Sequence, residues 1–410
     1  MADGRVLLAS HERGTQEWSA QWRGVSDGRA LSDRYSLGVG FAHRPVLVPS
    51  PAGPRGVLMA DVSAAEVTEE SASRMPALWR FPTAGGPPER TGLGLDVPDA
   101  CLACIHQSLH GAVPGYHGAF PVVELAGRTL AVLSTIPSEC VTSRRLGNLQ
   151  RMRIVDLDDL SESGIFWGDE PCRVLPGDLA AGTAWPVALS DGRRMGVFFA
   201  SGISGVPPIR EYMIVEADGT VVFGPIDVGT TMERFPALDY GQGRAVRLGT
   251  SLIFAEYLRR GDICSGLRIM NEEGTNVRDT PWQLPCRSDD LLWVSWVELR
   301  AFGDHALVVW SEHADPFDAP AWSERVMLAL LDDRGRLASE PLEVTPPGAS
   351  ALRNGAIDRE TGALVNPLFS RAYRTSVWVD DESNAYVSYG SDSDEHLGVF
   401  VRHVECEPLP

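Results

Sequence analysis

A chain of 410 residues with 44% hydrophobic content can bury a sizeable core, and length alone, at about 150 residues per domain, suggests two or three domains. Its 55 acidic and 36 basic residues leave a formal charge of −19, and every basic residue is arginine. An acidic chain without a basic block excludes general nucleic-acid binding and anionic-membrane binding as leading functions. No apolar run approaches the roughly 20 residues of a membrane span. The 41 glycines and 29 prolines point to many turns.

In chain order, one short apolar segment recurs at Val6–Ser10, Val57–Asp61, Ala131–Thr135, Val197–Ser201, Leu252–Glu256, Leu307–Ser311 and Tyr386–Gly390. Each is too short for a typical helix and rich in β-branched and aromatic residues, so it reads as a buried strand, strand B. Ahead of it lies a strand A that often carries proline: His43–Leu47, Phe120–Val123, Trp185–Ala188 and Phe235–Leu238, with Val294–Leu299 and Thr375–Asp380 filling the same slot. Behind it comes strand C, running into an acidic or glycine turn, as at Trp18–Gly28, Met152–Asp159, Tyr212–Gly219, Leu267–Gly274 and Val326–Gly335. Strand D follows, as at Val221–Phe223 and Leu337–Val344. No amphipathic helix interrupts the pattern.

Four short antiparallel strands repeated this often resemble the β-propeller superfamily, and exported bacterial propeller proteins in particular. The resemblance covers nearly the whole chain and implies an all-β fold. The expected architecture is a seven-bladed propeller over residues 1–410, with six blades as the alternative. The first repeat has no strand A and the last ends after strand C, so pairing of N- and C-terminal strands is expected to close the ring. Kelch, WD and sialidase-turn motifs are not in register, so no named family within the superfamily is implied.

Alternating strand direction puts the B–C and D–A connections on one edge and the A–B and C–D connections on the other. The long connections 62–75, 136–150, 312–324, 96–118 and 345–374 all belong to the first edge. Long loops gathered on a rigid scaffold are where function usually sits. Residues at the starts of strands A then surround the channel mouth on that edge: His43, Arg44, His117, Trp185, Arg234 and Arg374. Guanidinium groups and aromatic planes suit carboxylate, phosphate or sugar ligands. Further along strand A, Glu124, Asp239 and Glu298 are weaker candidates for acid–base glycoside cleavage.

Seven cysteines are present. Cys140 and Cys264 are expected in B–C loops, with Cys172 and Cys286 after the strands D of the same repeats. This equivalence predicts disulfides Cys140–Cys172 and Cys264–Cys286, and with them an oxidising compartment. Cys101, Cys104, His106, His110 and His117 have the thiolate and imidazole content of a zinc site, at an irregular spacing. Cys101–Cys104 can equally form a tight disulfide, or one of them can pair with Cys406. The acidic runs Asp156–Asp159 and Ser391–Glu395 are weaker candidates for calcium.

These signals favour a monomeric, exported, non-catalytic propeller that holds a glycan, peptide or partner protein, with no cofactor. The chain start lacks a signal-peptide core, so an extracellular, periplasmic or cell-surface location requires a signal outside this sequence. The alternatives are a metal-assisted hydrolase or lyase, a glycosidase, and a cytoplasmic scaffold with free thiols.

Overall fold

The computed structural model describes residues 4–12, 17–39, 46–48, 55–58, 77–82, 85–92, 122–135, 151–159, 162–167, 185–201, 209–229, 245–260, 262–285, 293–313, 324–345, 376–379, 384–393 and 396–405. These form antiparallel meanders in chain order. The first sheet is β1 (Arg5–Glu12), β2 (Glu17–Gly24) and β3 (Tyr35–Val39). The second is β4 (Val46–Val48), β5 (Arg55–Leu58), β6 (Ala77–Arg80) and β7 (Glu89–Gly92). The third is β8 (Val122–Leu125), β9 (Arg128–Thr135), β10 (Arg151–Asp156) and β11 (Glu162–Trp167). The fourth is β12 (Trp185–Ala188), β13 (Arg194–Ser201), β14 (Ile209–Glu216) and β15 (Val221–Asp227). The fifth is β16 (Ala245–Leu248), β17 (Ser251–Arg260), β18 (Asp262–Asn271) and β19 (Arg278–Asp279). The sixth is β20 (Trp293–Phe302), β21 (His305–His313), β22 (Glu324–Leu331) and β23 (Leu342–Glu343). The last is β24 (Ser376–Val379), β25 (Asn384–Ser393) and β26 (His396–Glu405). No helix of the described residues is long and apolar enough to cross a membrane.

The arrangement is an all-β propeller, but the expected seven or six four-stranded blades are corrected to five among the described residues. Among the described residues the first sheet has no strand A and the last no strand D. The expected closure by terminal strands is also corrected among those residues. β1 and β26 belong to separate sheets, β1–β2–β3 and β24–β25–β26, with no pairing between them. The fifth strand A is shifted too. It is Ala245–Leu248, joined to β17 by the two-residue turn Gly249–Thr250, and not the proline-bearing segment at 235–238.

Packing explains why strand B reads as an unbroken apolar run. A strand covered on one face alternates, whereas one covered on both faces does not. On β17, Leu252 and Phe254 pack with Phe198, Tyr212 and Ile214 of the fourth sheet. The intervening Ile253 and Ala255 pack with Val308, Trp310 and Ala329 of the sixth. On β21, Ala306, Val308 and Trp310 face the fifth sheet, while Leu307 and Val309 face Val377, Ala385 and Val387 of the last. Each such valine, leucine, isoleucine or phenylalanine side chain contributes about 1.5–3 kcal/mol on burial. Inner strands of the third to seventh sheets lie against one another in sequence, which places them around one axis.

Polar groups reinforce the same neighbours. Tyr35 Oη donates to Gly85 O between the first and second sheets, and Arg80 donates to Asp158 O between the second and third. Trp282 N donates to Gly335 O between the fifth and sixth, and Arg402 donates to Glu343 O and Val344 O between the seventh and sixth. The fourth and fifth sheets share the most developed clamp. Buried Glu272 accepts from Ser190 N at 2.7 Å and Ser190 Oγ at 2.6 Å, and Tyr212 Oη donates to Glu272 O at 2.6 Å. Arg247 Nε lies 3.8 Å from the same carboxylate and donates to Ala188 O at 2.9 Å. Burial of Tyr212, then the charge of Glu272, push its hydroxyl pKa well above the usual range, so it serves as a fixed donor.

Turns use part of the acidic excess. In the Asp332 turn, one carboxylate oxygen accepts from Arg334 N and Arg336 N, and Gly335 supplies the positive φ of 75°. Side-chain acceptance of turn N–H groups is why aspartate is favoured there.

Glu272→Ala leaves the Ser190 N–H and hydroxyl without their acceptor. It is expected to cost about 2 kcal/mol, read as a lowered urea midpoint with an unchanged slope.

Candidate functional site: the loop-bearing edge

The described strand ends fix where every connection leaves the scaffold. The turns A–B are short, as at Ala126–Gly127, Gly249–Thr250 and Gly303–Asp304. The long connections run over 59–76, 136–150 and 314–323 between strands B and C, and over 93–121, 168–184, 228–244, 280–292 and 344–375 between strands D and A. In antiparallel meanders these two kinds of connection leave from the same edge, while the C–D connections, on the other, reach ten residues at 25–34 and 332–341.

At the roots of two of them, on the sixth sheet, lies a polar cluster. Glu312 sits one residue before the end of β21 and Arg325 is the second residue of β22, paired directly opposite it. Glu312 is buried, at 4% exposure, and both carboxylate oxygens are occupied. Trp310 Nε1 donates to Oε1 at 2.8 Å, and Arg325 Nη2 donates to Oε2 at 2.8 Å. Arg325 Nη1 is also 3.9 Å from Glu343 Oε2. Thr345 Oγ1 donates to Glu343 Oε1 at 3.1 Å and accepts from Val326 N at 3.3 Å. The indole of Trp310 is held against Trp282, ring centres 5.6 Å apart. A carboxylate this buried is tolerable because each oxygen keeps a strong donor. The cluster thereby ties the start of the 314–323 connection to the start of the 344–375 connection. The Arg325 side chain is 47% exposed, so it also presents a guanidinium at this edge. Sequence reasoning missed the cluster because Glu312 stood at the boundary of an expected loop; its paired partner Arg325 becomes visible only with the β21–β22 register.

Most of the sequence-derived residues fall outside the described ones: His43, Arg44, Cys101, Cys104, His106, His110, His117, Cys140, Cys172, Arg234, Asp239, Cys286, Arg374 and Cys406. Trp185 opens β12 at the loop-bearing end, opposite Phe198. The first strand of the fifth sheet, β16, begins at Ala245. Cys264 is not in a loop: β17 and β18 continue as one long hairpin, and Cys264 pairs opposite Leu258 within it. Glu124 is exposed on β8 beside the Ala126–Gly127 turn, at the edge away from the long connections. Glu298 is fully buried and lies 2.8 Å from Arg300 Nη2. Its register partner Val309 places it on the face toward the seventh sheet. The structure therefore does not bring Glu124 and Glu298 together. Asp156 accepts from Arg128 Nε at 2.6 Å and from Asp158 N at 2.8 Å, and Asp158 accepts from Thr129 N at 3.1 Å. These carboxylates hold their own turn.

Among solved structures, the chain is similar to the β-propeller domain of the Trilobed protease from Pyrococcus furiosus, at 9% identity over 100% of this chain and 97% of that one, with a TM-score of 0.47. It is similar to Trypanosoma rangeli sialidase in complex with the inhibitor DANA at 10% identity, over 98% of this chain and 60% of that one, with a TM-score of 0.47. It is similar to an endo-arabinase from Bacteroides thetaiotaomicron at 9% identity, over 70% and 94%, with a TM-score of 0.38. No protein-family model and no curated protein matches. Likenesses of this size carry no argument about function, and the propeller arrangement rests on strand order and packing.

Arg325→Ala removes one of the two donors to the buried Glu312 carboxylate. Because the guanidinium is half exposed, the expected loss is about 1–2 kcal/mol, below that of a fully buried pair. Arg325→Ala combined with Glu312→Gln should recover part of it in a double-mutant cycle read by urea unfolding.

Proposed function

We propose that this propeller is an exported, non-catalytic binding protein that holds a glycan, peptide or partner protein on its loop-bearing edge. The single observation that carries this reading is the sorting of every connection longer than ten residues onto one edge of a scaffold whose inner sheets are packed on both faces. Such a scaffold fixes the roots of variable segments, and pre-organisation lowers the cost of binding. His43, Arg44, His117, Arg234 and Arg374 all belong to D–A connections, and Trp185 ends one. They supply planar cations, imidazoles and an aromatic face, a set that suits carboxylate-bearing or sugar ligands. Their grouping on an acidic protein would make a local cationic exception and favour acidic glycans.

The segment from Cys101 to His117 belongs to the 93–121 connection. Read as oxidised, it supports export; read as reduced, its cysteines and histidines form the metal alternative. A glycosidase built on strand A carboxylates draws little support, since Glu298 is buried between sheets and Glu124 lies at the opposite edge.

The test is saturation binding to an array of acidic and neutral glycans, run beside a panel of chromogenic glycosides. Binding without turnover is expected. Trp185→Ala and Arg374→Ala should each weaken it by about tenfold or more without lowering Tm. Turnover that disappears in Glu124→Gln or Asp239→Asn overturns the reading.

A further inference from the structure

In every four-stranded sheet a strand D lies outside strand C. Strand C is then an inner strand, buried on both faces at Tyr212–Val215 of β14 and at Val326 and Leu328–Leu331 of β22. The last sheet ends at its strand C. Its order is β24, β25, β26, and among the described residues no strand pairs with the outer side of β26. Val401 is 38% exposed there, and Arg402 and His403 beside it are exposed too. Val401 and His403 share the face of Ser388 and Tyr386, whereas Arg402 lies on the other face and donates to Val344 O of the sixth sheet at 2.6 Å. β26 thus holds a rim position with the sequence of an inner strand, including Leu397, Val399, Phe400, Val401 and Val404.

A long apolar edge strand is a template for pairing with another chain, and proteins blunt such edges by shortening them or by placing proline on them. Other rim strands of this fold carry those devices. β19 and β23 have 2 residues each, and β15 contains Pro225. β26 has 10 residues and no proline.

We infer that the outer edge of β26 pairs antiparallel with the same edge of a second copy, joining two last sheets into one continuous sheet. Two copies of one strand meet about a twofold axis normal to the sheet, and each residue keeps its face. Odd positions therefore meet odd ones, and even positions meet even ones. Centred on Phe400, residues 396–404 pair, and Val401 meets Val399 of the second copy. Centred on Val401, residues 397–405 pair, and Val401 meets its own counterpart. Neither register opposes like charges within the strand, whereas centring on Arg402 sets two guanidiniums against each other, which is unfavourable. Valine against valine at the axis suits a sheet. An edge of this length buries less than about 1,200 Å², so the association is weak and concentration-dependent. Because the strands run antiparallel, the paired rings present their loop-bearing edges in opposite directions.

Sedimentation velocity of the wild-type chain over about 1–100 µM should show single chains giving way to pairs as concentration rises. Over the same range, backbone hydrogen exchange of the peptide covering 396–405 should slow several-fold while that of β14 stays unchanged; this readout needs no variant to fold. Val401→Lys sets a charge at or beside the axis, and should stay single at every concentration with the wild-type Tm. A wild-type chain that stays single overturns the inference, whether or not its 396–405 edge takes up a foreign strand peptide. So does a Val401→Lys chain that pairs as readily as the wild type.

Discussion

Burial of both faces of strand B is the constraint on which the rest of the structure depends. A four-stranded meander covered on one side would leave half of its apolar residues in water. Here consecutive residues on β17 and β21 are divided between the preceding and following sheets. Each sheet is therefore both lid and floor for its neighbours. Removing the apolar character of one side chain weakens one interface, but the shared backbone transmits the change to the next.

This constraint also sorts the chain into scaffold and variable parts. The tight turns at Ala126–Gly127, Gly249–Thr250 and Gly303–Asp304 confine one edge, whose longest connections, 25–34 and 332–341, stop at ten residues. The other edge carries the long connections, and its strand ends are held by side-chain clusters such as that of Trp310, Glu312 and Arg325. The charged groups divide in the same way. Glu272 and Glu298 act between sheets, and Asp156 and Asp332 hold turns. What the loop-bearing edge can bind is then a matter of the residues on its connections and not of the scaffold.

Much of this fold was legible without coordinates, for a physical reason. A strand buried on both faces leaves an apolar run with few polar interruptions, and the strand B segments from Val6 to Gly390 proved to be strands, the second of them at Val57 and Leu58 among the described residues. The turn glycines and aspartates after strand C were equally readable, because positive φ and side-chain capping demand those residue types. Strand A was harder. Phe235–Leu238 copied the aromatic-proline pattern of Trp185–Ala188, whereas the real strand, Ala245–Leu248, carries no special residue and is marked only by alternation and a tight turn. Ring closure was not readable either, because pairing between distant strands leaves no local pattern. The candidate site was legible as an edge and not as a set of side chains. Glu124 and Glu298 looked equivalent by position, but Glu298 lies farther from its A–B turn on the longer β20, opposite buried Val309, while Glu124 lies next to the last residue of β8 and stays in water.

The most direct test of two-faced burial is a pair of substitutions at neighbouring positions of one strand. Leu252 and Ile253 are both fully buried, on opposite faces of β17. Leu252→Asp and Ile253→Asp, each made alone and followed by near-ultraviolet circular dichroism through urea unfolding, should both destabilise the chain by about 4 kcal/mol or more. A wild-type midpoint for either one would mean that one face of the sheet is open to solvent, and would contradict the propeller packing described here.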